Sequence, residues 1–262
     1  MTDATTYLHA YDEQLRTDAE TPSALSVTRH GPLRLVTFAG GRGFVTYRDL
    51  GGADADAIRD LVGVAIAHFG ADDEITRVEW KTRGHDEAPG LHDALVAHGF
   101  EPGEPEAIMI GPLGALADLG EVPEGVTVRR ITTEGDVRAM SAMVDEAFGE
   151  RVDARTADAL LSRLARGDGT ELWVAEVDGR MVSGGRLEPV PGTDFVGIWG
   201  GATLDAFRHR GIYRALTAAR ARSALAGGKT LVHSDSTEGS RPILERSGLV
   251  AVSTTTPYDW AR

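Results

Sequence analysis

Apolar and polar positions alternate along Leu33-Arg34-Leu35-Val36-Thr37-Phe38 and along Gly43-Phe44-Val45-Thr46-Tyr47, with Gly40 and Gly41 between the two runs. A period of two broken by glycines predicts a hairpin of half-buried strands. The period then lengthens. Ala57, Ile58, Leu61, Val62, Ala65, Ile66 and Phe69 recur at helical spacing over residues 53–69, with Asp54 and Asp56 in the first turn, where the helix dipole favours acids. An amphipathic helix over residues 5–16 precedes the hairpin, and a strand over 77–81, a helix over 91–98 closed by Gly99, and a strand over 107–110 follow it. Residues 111–125 are rich in Gly, Pro, Leu and acids without a clean period and read as a connector, which sets the expected domains at 1–115 and 116–262.

In the second half a strand is expected over residues 126–131 and a helix over 136–148, with Val137, Met140, Met143, Val144 and Ala147 on its inner side; Leu160 and Leu164 mark a further helix. Asp178-Gly179 between apolar runs 172–177 and 181–187 is a strong hairpin signal. A strand over 195–204, a loop over 205–210, a helix over 211–226 stopped by Gly227-Gly228, a strand over 230–235, a helix from near Arg241-Pro242 and terminal strands over 249–260 complete the chain. Strand, helix, strand, helix and strand thus follow one another from Phe44 to Ile110 and again from Phe195 to Trp260, the last helices closing in His98-Gly99-Phe100 and Ser247-Gly248-Leu249, which suggests an internal duplication.

Composition narrows the classes of function. Hydrophobic residues at 42% and charged residues at 26% are ordinary for a globular protein, and no apolar run approaches the roughly 18 residues of a membrane span. The amino terminus lacks a signal-peptide pattern, so a cytoplasmic protein is expected. With no cysteine, disulfides, thiolate metal sites and a cysteine nucleophile are excluded. A formal charge of -13 argues against nucleic acid as a partner and suits a cationic acceptor such as an amine. Oligomeric state is left open, a homodimer being compatible with the sequence.

The chemistry concentrates in Thr203-Leu204-Asp205-Ala206-Phe207-Arg208-His209-Arg210-Gly211-Ile212-Tyr213-Arg214. A strand enters a basic loop with a glycine and a helix follows at once, so unpaired N–H groups and the positive end of a helix dipole fall together. Such a junction seats an anion, with Gly211 permitting close approach and Arg208, Arg210 and Arg214 adding charge. Here the sequence resembles the GNAT acetyltransferase superfamily, whose cofactor motif is Arg or Gln, two residues, Gly, one residue, then Gly or Ala. Arg208-His209-Arg210-Gly211-Ile212-Tyr213 matches the first two fixed positions and departs at the last, where Tyr213 replaces the small residue. The resemblance runs from about Val126 to Trp260 and includes Ile243-Leu244-Glu245-Arg246-Ser247-Gly248-Leu249, similar to the family's Leu-Tyr-Glu-Lys-x-Gly-Phe.

The resemblance implies an α/β (α+β) fold of two GNAT-like mixed-sheet halves with flanking helices, the carboxyl-terminal half complete and the amino-terminal half degenerate. It implies acetyl-CoA as co-substrate, bound by Arg208, His209, Arg210, Gly211, Ile212, Tyr213 and Arg214, by the backbone at Ala202 and Thr203, and by Thr237 toward the pantetheine arm. It implies transfer of an acetyl group to a primary amine of a small molecule. Two family side chains are missing: the strand before the motif carries no glutamate base, and Leu244 stands where many relatives have a tyrosine acid. Glu188, Asp235 (with His233 nearby) and Tyr258 are the replacement candidates for catalysis; a non-catalytic CoA-binding or regulatory protein is the alternative. Trp199 is a candidate wall for the acceptor. In the first half, Tyr47-Arg48-Asp49-Leu50-Gly51-Gly52-Ala53 stands where a cofactor loop would be, but its acids would repel phosphate; His85 and Asp86 lack the further ligands a metal site needs.

Overall fold

A computed structural model describes residues 3–262, which form two compact units. The first takes the chain to Ile108 and adds Asp235–Arg241 and Ala251–Arg262; the second holds Met109–Ser234 and Pro242–Val250. The last strand of the sequence therefore belongs to the first unit. Among the described residues no helix is long and apolar enough to cross a membrane.

In the first unit, helix α1 (Ala4–Gln14) precedes strands β1 (Ser26–His30), β2 (Leu33–Phe38) and β3 (Arg42–Thr46); helix α2 (Ala55–Gly70), strand β4 (Arg77–Arg83), helix α3 (Leu91–Ala97), the short strand β5 (Glu101–Pro102) and, after the excursion through the second unit, β12 (Val250–Ala261) complete it. The sheet runs β1-β2-β3-β4-β12, with β5 also on β12. β1, β2 and β3 pair antiparallel, β3 and β4 pair parallel across the α2 crossover, and β12 lies antiparallel to β4. Helix α2 forms because Asp54 caps it, its side chain accepting from the Ala57 amide, and because Ile58, Val62, Ala65 and Phe69 make one buried stripe. The stripe packs into a core with Leu35, Val45, Val78, Trp80 and Tyr258. β1 is a strand the alternation did not reveal, since all five of its residues are exposed.

Strand β6 (Glu106–Pro112) leads from the first unit into the second, where helix α4 (Leu113–Ala117) replaces the expected connector. Only Leu113, Leu116 and Ala117 are buried there, too short a stripe to show as a period. Strand β7 (Val126–Ile131), helices α5 (Glu134–Phe148) and α6 (Ala154–Arg166), strands β8 (Glu171–Val177), β9 (Arg180–Pro189) and β10 (Phe195–Thr203), helix α7 (Ile212–Ala226), strand β11 (Leu231–Ser236) and helix α8 (Arg241–Arg246) follow. The sheet order is β11-β10-β9-β8-β7, antiparallel except where β10 meets β11. Neighbouring glycines of β9 show how helices cover both faces. A Cβ on Gly184 would meet Met140 and Met143 of α5 at 3.0 and 2.9 Å, and one on Gly185 would meet Arg220 of α7 at 2.5 Å. Adjacent strand residues face opposite sides, so α5 and α7 lie on opposite faces and each approaches closely enough to require glycine.

The first unit is bound internally by buried ion pairs. Arg83, its side chain wholly buried, pairs with Glu20 and donates to Thr46 Oγ1 at 2.9 Å. Burial alone would lower the Arg83 pKa, and the Glu20 carboxylate reverses this to a net rise. Arg16 pairs with Asp86 at 2.6 Å and donates to the Tyr47 carbonyl at 3.0 Å, and His85 is held between Ser253, Asp12 and Arg16. Removing one partner of a buried pair strands the other charge. Arg83→Ala is expected to lower unfolding free energy by about 3 kcal/mol, seen as a lower urea midpoint. Arg29→Ala, which removes an exposed pair with Asp18, should change it by less than about 1 kcal/mol.

Candidate functional site

The polypeptide between β10 and α7 leaves the sheet through a single turn, Asp205–Phe207, anchored by the Phe207 amide on the Leu204 carbonyl (2.8 Å) and the Arg208 amide on the Asp205 carbonyl (3.2 Å). Two left-handed residues then flank Arg210: His209 at φ 62° and Gly211, the N-cap of α7, at φ 78°. Alternation of this kind gathers successive N–H groups into a concavity. The first backbone bond of α7 is that of the Ala215 amide to the Gly211 carbonyl, 3.0 Å. Consequently the amides of His209, Arg210, Gly211, Ile212, Tyr213 and Arg214 donate to no acceptor among the described residues. No side chain caps this helix either, unlike α2 and α5, where Asp54 and Thr133 accept from the first turn.

Charge surrounds the turn. Arg210 lies over the Phe207 ring, 5.2 Å to its centroid, and is exposed. Arg208 pairs with Asp205 at 2.8 Å and reaches the Thr203 carbonyl; Arg214 donates to the Leu119 carbonyl at 3.1 Å. His209 is exposed, and Ile212 is buried beneath the helix as an anchor.

The strand leading into this turn is splayed. β10 pairs with β11 in parallel only over Phe195–Gly197 and Leu231–His233. Its pairing with β9 is broken by a bulge between Trp199 and Ala202, where Gly200 takes φ 56°. Ser183 Oγ donates to the Ala202 carbonyl at 2.7 Å, and the Leu204 amide reaches the Val182 carbonyl at 2.9 Å, so the backbone of both residues is turned toward β9. Thr203, one residue out of phase, turns its amide to the edge that β11 has left. Ala202 therefore presents no amide to that edge, and Thr203 does. The parted edge of β10 thus runs into the turn that carries the helix-terminal amides.

No protein-family model and no curated protein matches the sequence. Solved structures do match in shape. A GCN5-related N-acetyltransferase from Kribbella flavida is 19% identical over 98% of this chain and 93% of that one, with a TM-score of 0.66. Another from Sphaerobacter thermophilus is 18% identical over 87% and 76%, TM-score 0.63, and a tandem GNAT protein from the clavulanic acid biosynthesis pathway is 14% identical over 87% and 78%, TM-score 0.61. The chain has the GNAT fold.

Against the GNAT fold, the side chains named from sequence fall in separate places. Glu188, at the end of β9 in the second unit, is held by Arg163 at 2.7 Å and Arg186 at 3.0 Å. Asp235 and Tyr258 belong to the first unit. Asp235 pairs with Lys81; burial pulls the Lys81 pKa down and the Asp235 carboxylate more than reverses it. Tyr258 packs in the first core with its hydroxyl on His92 Nδ1 at 2.8 Å, and burial raises its pKa. Thr237 is exposed, its carbonyl accepting from the Arg241 amide at the start of α8. Leu244 is buried, and Trp199 lies edge-on to His233 at 5.2 Å. Sequence reasoning missed Arg220. A lone cation on the buried face of α7, opposite the paired glycines of β9, was the available signal.

The turn in the first unit is built from similar parts and arranged otherwise. Gly51 and Gly52 are left-handed, but Asp49 accepts from the Gly51 amide at 2.9 Å, Asp54 from the Ala57 amide at 2.9 Å, and the Ala53 amide bonds the Leu50 carbonyl. Two of its amides are thus taken by its own acids and a third by its own backbone.

Gly211 can be tested without a ligand. A Cβ there meets nothing nearer than Pro123 at 3.6 Å, so the cost of Gly211→Ala is the left-handed backbone alone. The expected loss is about 1 kcal/mol, a fall in Tm of a few degrees with secondary structure unchanged by circular dichroism.

Proposed function

We propose that the protein is an acetyl-CoA-dependent N-acetyltransferase acting on a primary amine of a small molecule, its second unit holding the co-substrate and its first a degenerate copy of the same design. The observation that carries this reading is the set of unsatisfied amides from His209 to Arg214 beside a splayed strand. These donors lie together on a mostly exposed turn, and a diphosphate can accept from several of them while meeting the positive end of the α7 dipole.

The residues present fit that group. The amides of the turn take the pyrophosphate, Arg208 and Arg210 add charge at its exposed side, and Thr203 offers an amide to the pantetheine arm or the thioester oxygen along β10. Acetyl-CoA supplies the activated acyl group; the chain holds it extended and excludes water along that strand. Attack by the neutral amine needs orientation first, and positioning alone can supply much of the rate. An acidic chain suits a cationic acceptor, since its field raises the local concentration of amines.

One observation favours a second reading. Leu244 is buried where relatives have a tyrosine, and Glu188 is neutralised by two arginines, so a CoA-binding protein without turnover is the competing assignment. Steady release of thiol from acetyl-CoA with a panel of primary amines supports the enzyme; tight CoA binding with no release from any amine supports the alternative.

Gly211→Glu places a carboxylate at the centre of the amide cluster. Calorimetric titration with CoA should show binding to the wild type and none to the variant, with both folded. Equal affinity in the two proteins would remove the assignment.

A further inference from the structure

Tyr213 stands at the motif position that the family fills with glycine or alanine, and its ring is directed across β10. A Cβ added to Gly201 would lie 2.8 Å from both Cε2 and the hydroxyl oxygen of Tyr213. Gly201 is thus the space in which the phenol sits, at the bulge where β10 parts from β11 and two residues from the open amide of Thr203. The residue is half-buried.

On the same face of α7, two turns on, is Arg220. It is fully buried. Its Nη1 donates to the Arg186 carbonyl and its Nη2 to Thr217 Oγ1, both at 3.1 Å, while Nε has no acceptor among the described residues. No carboxylate among the described residues pairs with it, in contrast to Arg16 and Arg83, each of which has one. The Arg220 guanidinium lies 6.0 Å from the Tyr213 ring centroid. Burial lowers the Arg220 pKa and the phenol of Tyr213 opposes that effect. A buried cation without a counter-charge is costly to fold around, and what relieves it is negative charge appearing nearby. The phenol of Tyr213 is a group beside it able to acquire such a charge.

We propose that Tyr213 is the acid that protonates the departing thiolate, with Arg220 as the positioning residue that offsets the charge left on the phenol; the inference rests on the acetyl transfer assigned above. As the C–S bond breaks and its electron pair stays on sulfur, Tyr213 gives its hydroxyl proton to that sulfur. The proton that the amine loses on forming the new N–C bond goes to water, and water returns one to the phenolate. Charge forms beside a fixed cation that needs no reorganisation, the arrangement from which electrostatic catalysis draws most. The role left vacant by Leu244 is then filled by the residue that departs from the motif.

The test is binding, so it needs no acceptor. CoA and desulfo-CoA are titrated calorimetrically into wild type and Tyr213→Phe at about pH 8.5, where an ordinary thiol is about half ionised. The wild type should prefer CoA by about ten-fold, the worth of a hydrogen bond to a charged group. Tyr213→Phe, which keeps the ring and its packing, should abolish the preference by weakening CoA alone. A preference that survives in Tyr213→Phe, an equal change for both ligands, or no preference in the wild type overturns the inference while leaving the co-substrate seat intact. Failure of the wild type to bind either ligand overturns the seat itself.

Discussion

Six consecutive main-chain amides with no acceptor among the described residues, His209 to Arg214, are the constraint on which the second unit turns. Helices ordinarily satisfy their first-turn donors with a capping side chain, and this protein does so at α2 with Asp54 and at α5 with Thr133. At α7 the capping position is a left-handed glycine, with a left-handed histidine two residues before it, and no side chain among the described residues caps the helix. The left-handed backbone at His209 costs stability by itself. An anion with several oxygens would engage several of these donors together.

The rest of the unit keeps this seat open and extends it. β10 leaves β11 after Gly197, a bulge with Gly200 in the left-handed region carries it away, and Thr203 faces the gap with its amide. In the first unit the corresponding features are closed. There β3 and β4 pair over Arg42–Val45 and Arg77–Trp80, the buried Arg83 pairs with Glu20 and donates to Thr46, Arg16 donates to the Tyr47 carbonyl, and Asp49 and Asp54 each accept from one amide of the turn. The two turns thus differ in electrostatics: acids of the chain accept from amides of the first, and no side chain caps the helix that follows the second. That contrast is the physical content of the proposed degeneracy.

Much of the fold was legible because its signals are local. Asp54 followed by the stripe Ile58 to Phe69 specified α2, and Asp178-Gly179 specified the β8–β9 hairpin, since capping and turn chemistry act within a few residues. The helix after Gly211 was equally clear. Three features were not. β1 is an exposed edge with no apolar face to betray it, α4 is too short for a period, and β12 pairs with β4, a partner some 170 positions earlier in the sequence. The catalytic side chains were the least legible part. Glu188, Asp235 and Tyr258 have the right chemistry, but their engagement by Arg163 and Arg186, by Lys81 and by His92 depends on which strands lie side by side. Arg220 was hidden for the opposite reason: composition counts it as a surface charge, and only the glycine at position 185 shows where it goes.

Backbone amide NMR on the whole chain, titrated with CoA, tests the central claim most directly. The signals of His209, Arg210, Gly211, Ile212, Tyr213 and Arg214 should move together and early, with those of the Asp49 to Ala57 turn unmoved. Saturation by CoA with the six amides unshifted, or shifts centred on the first unit's turn, would contradict the account.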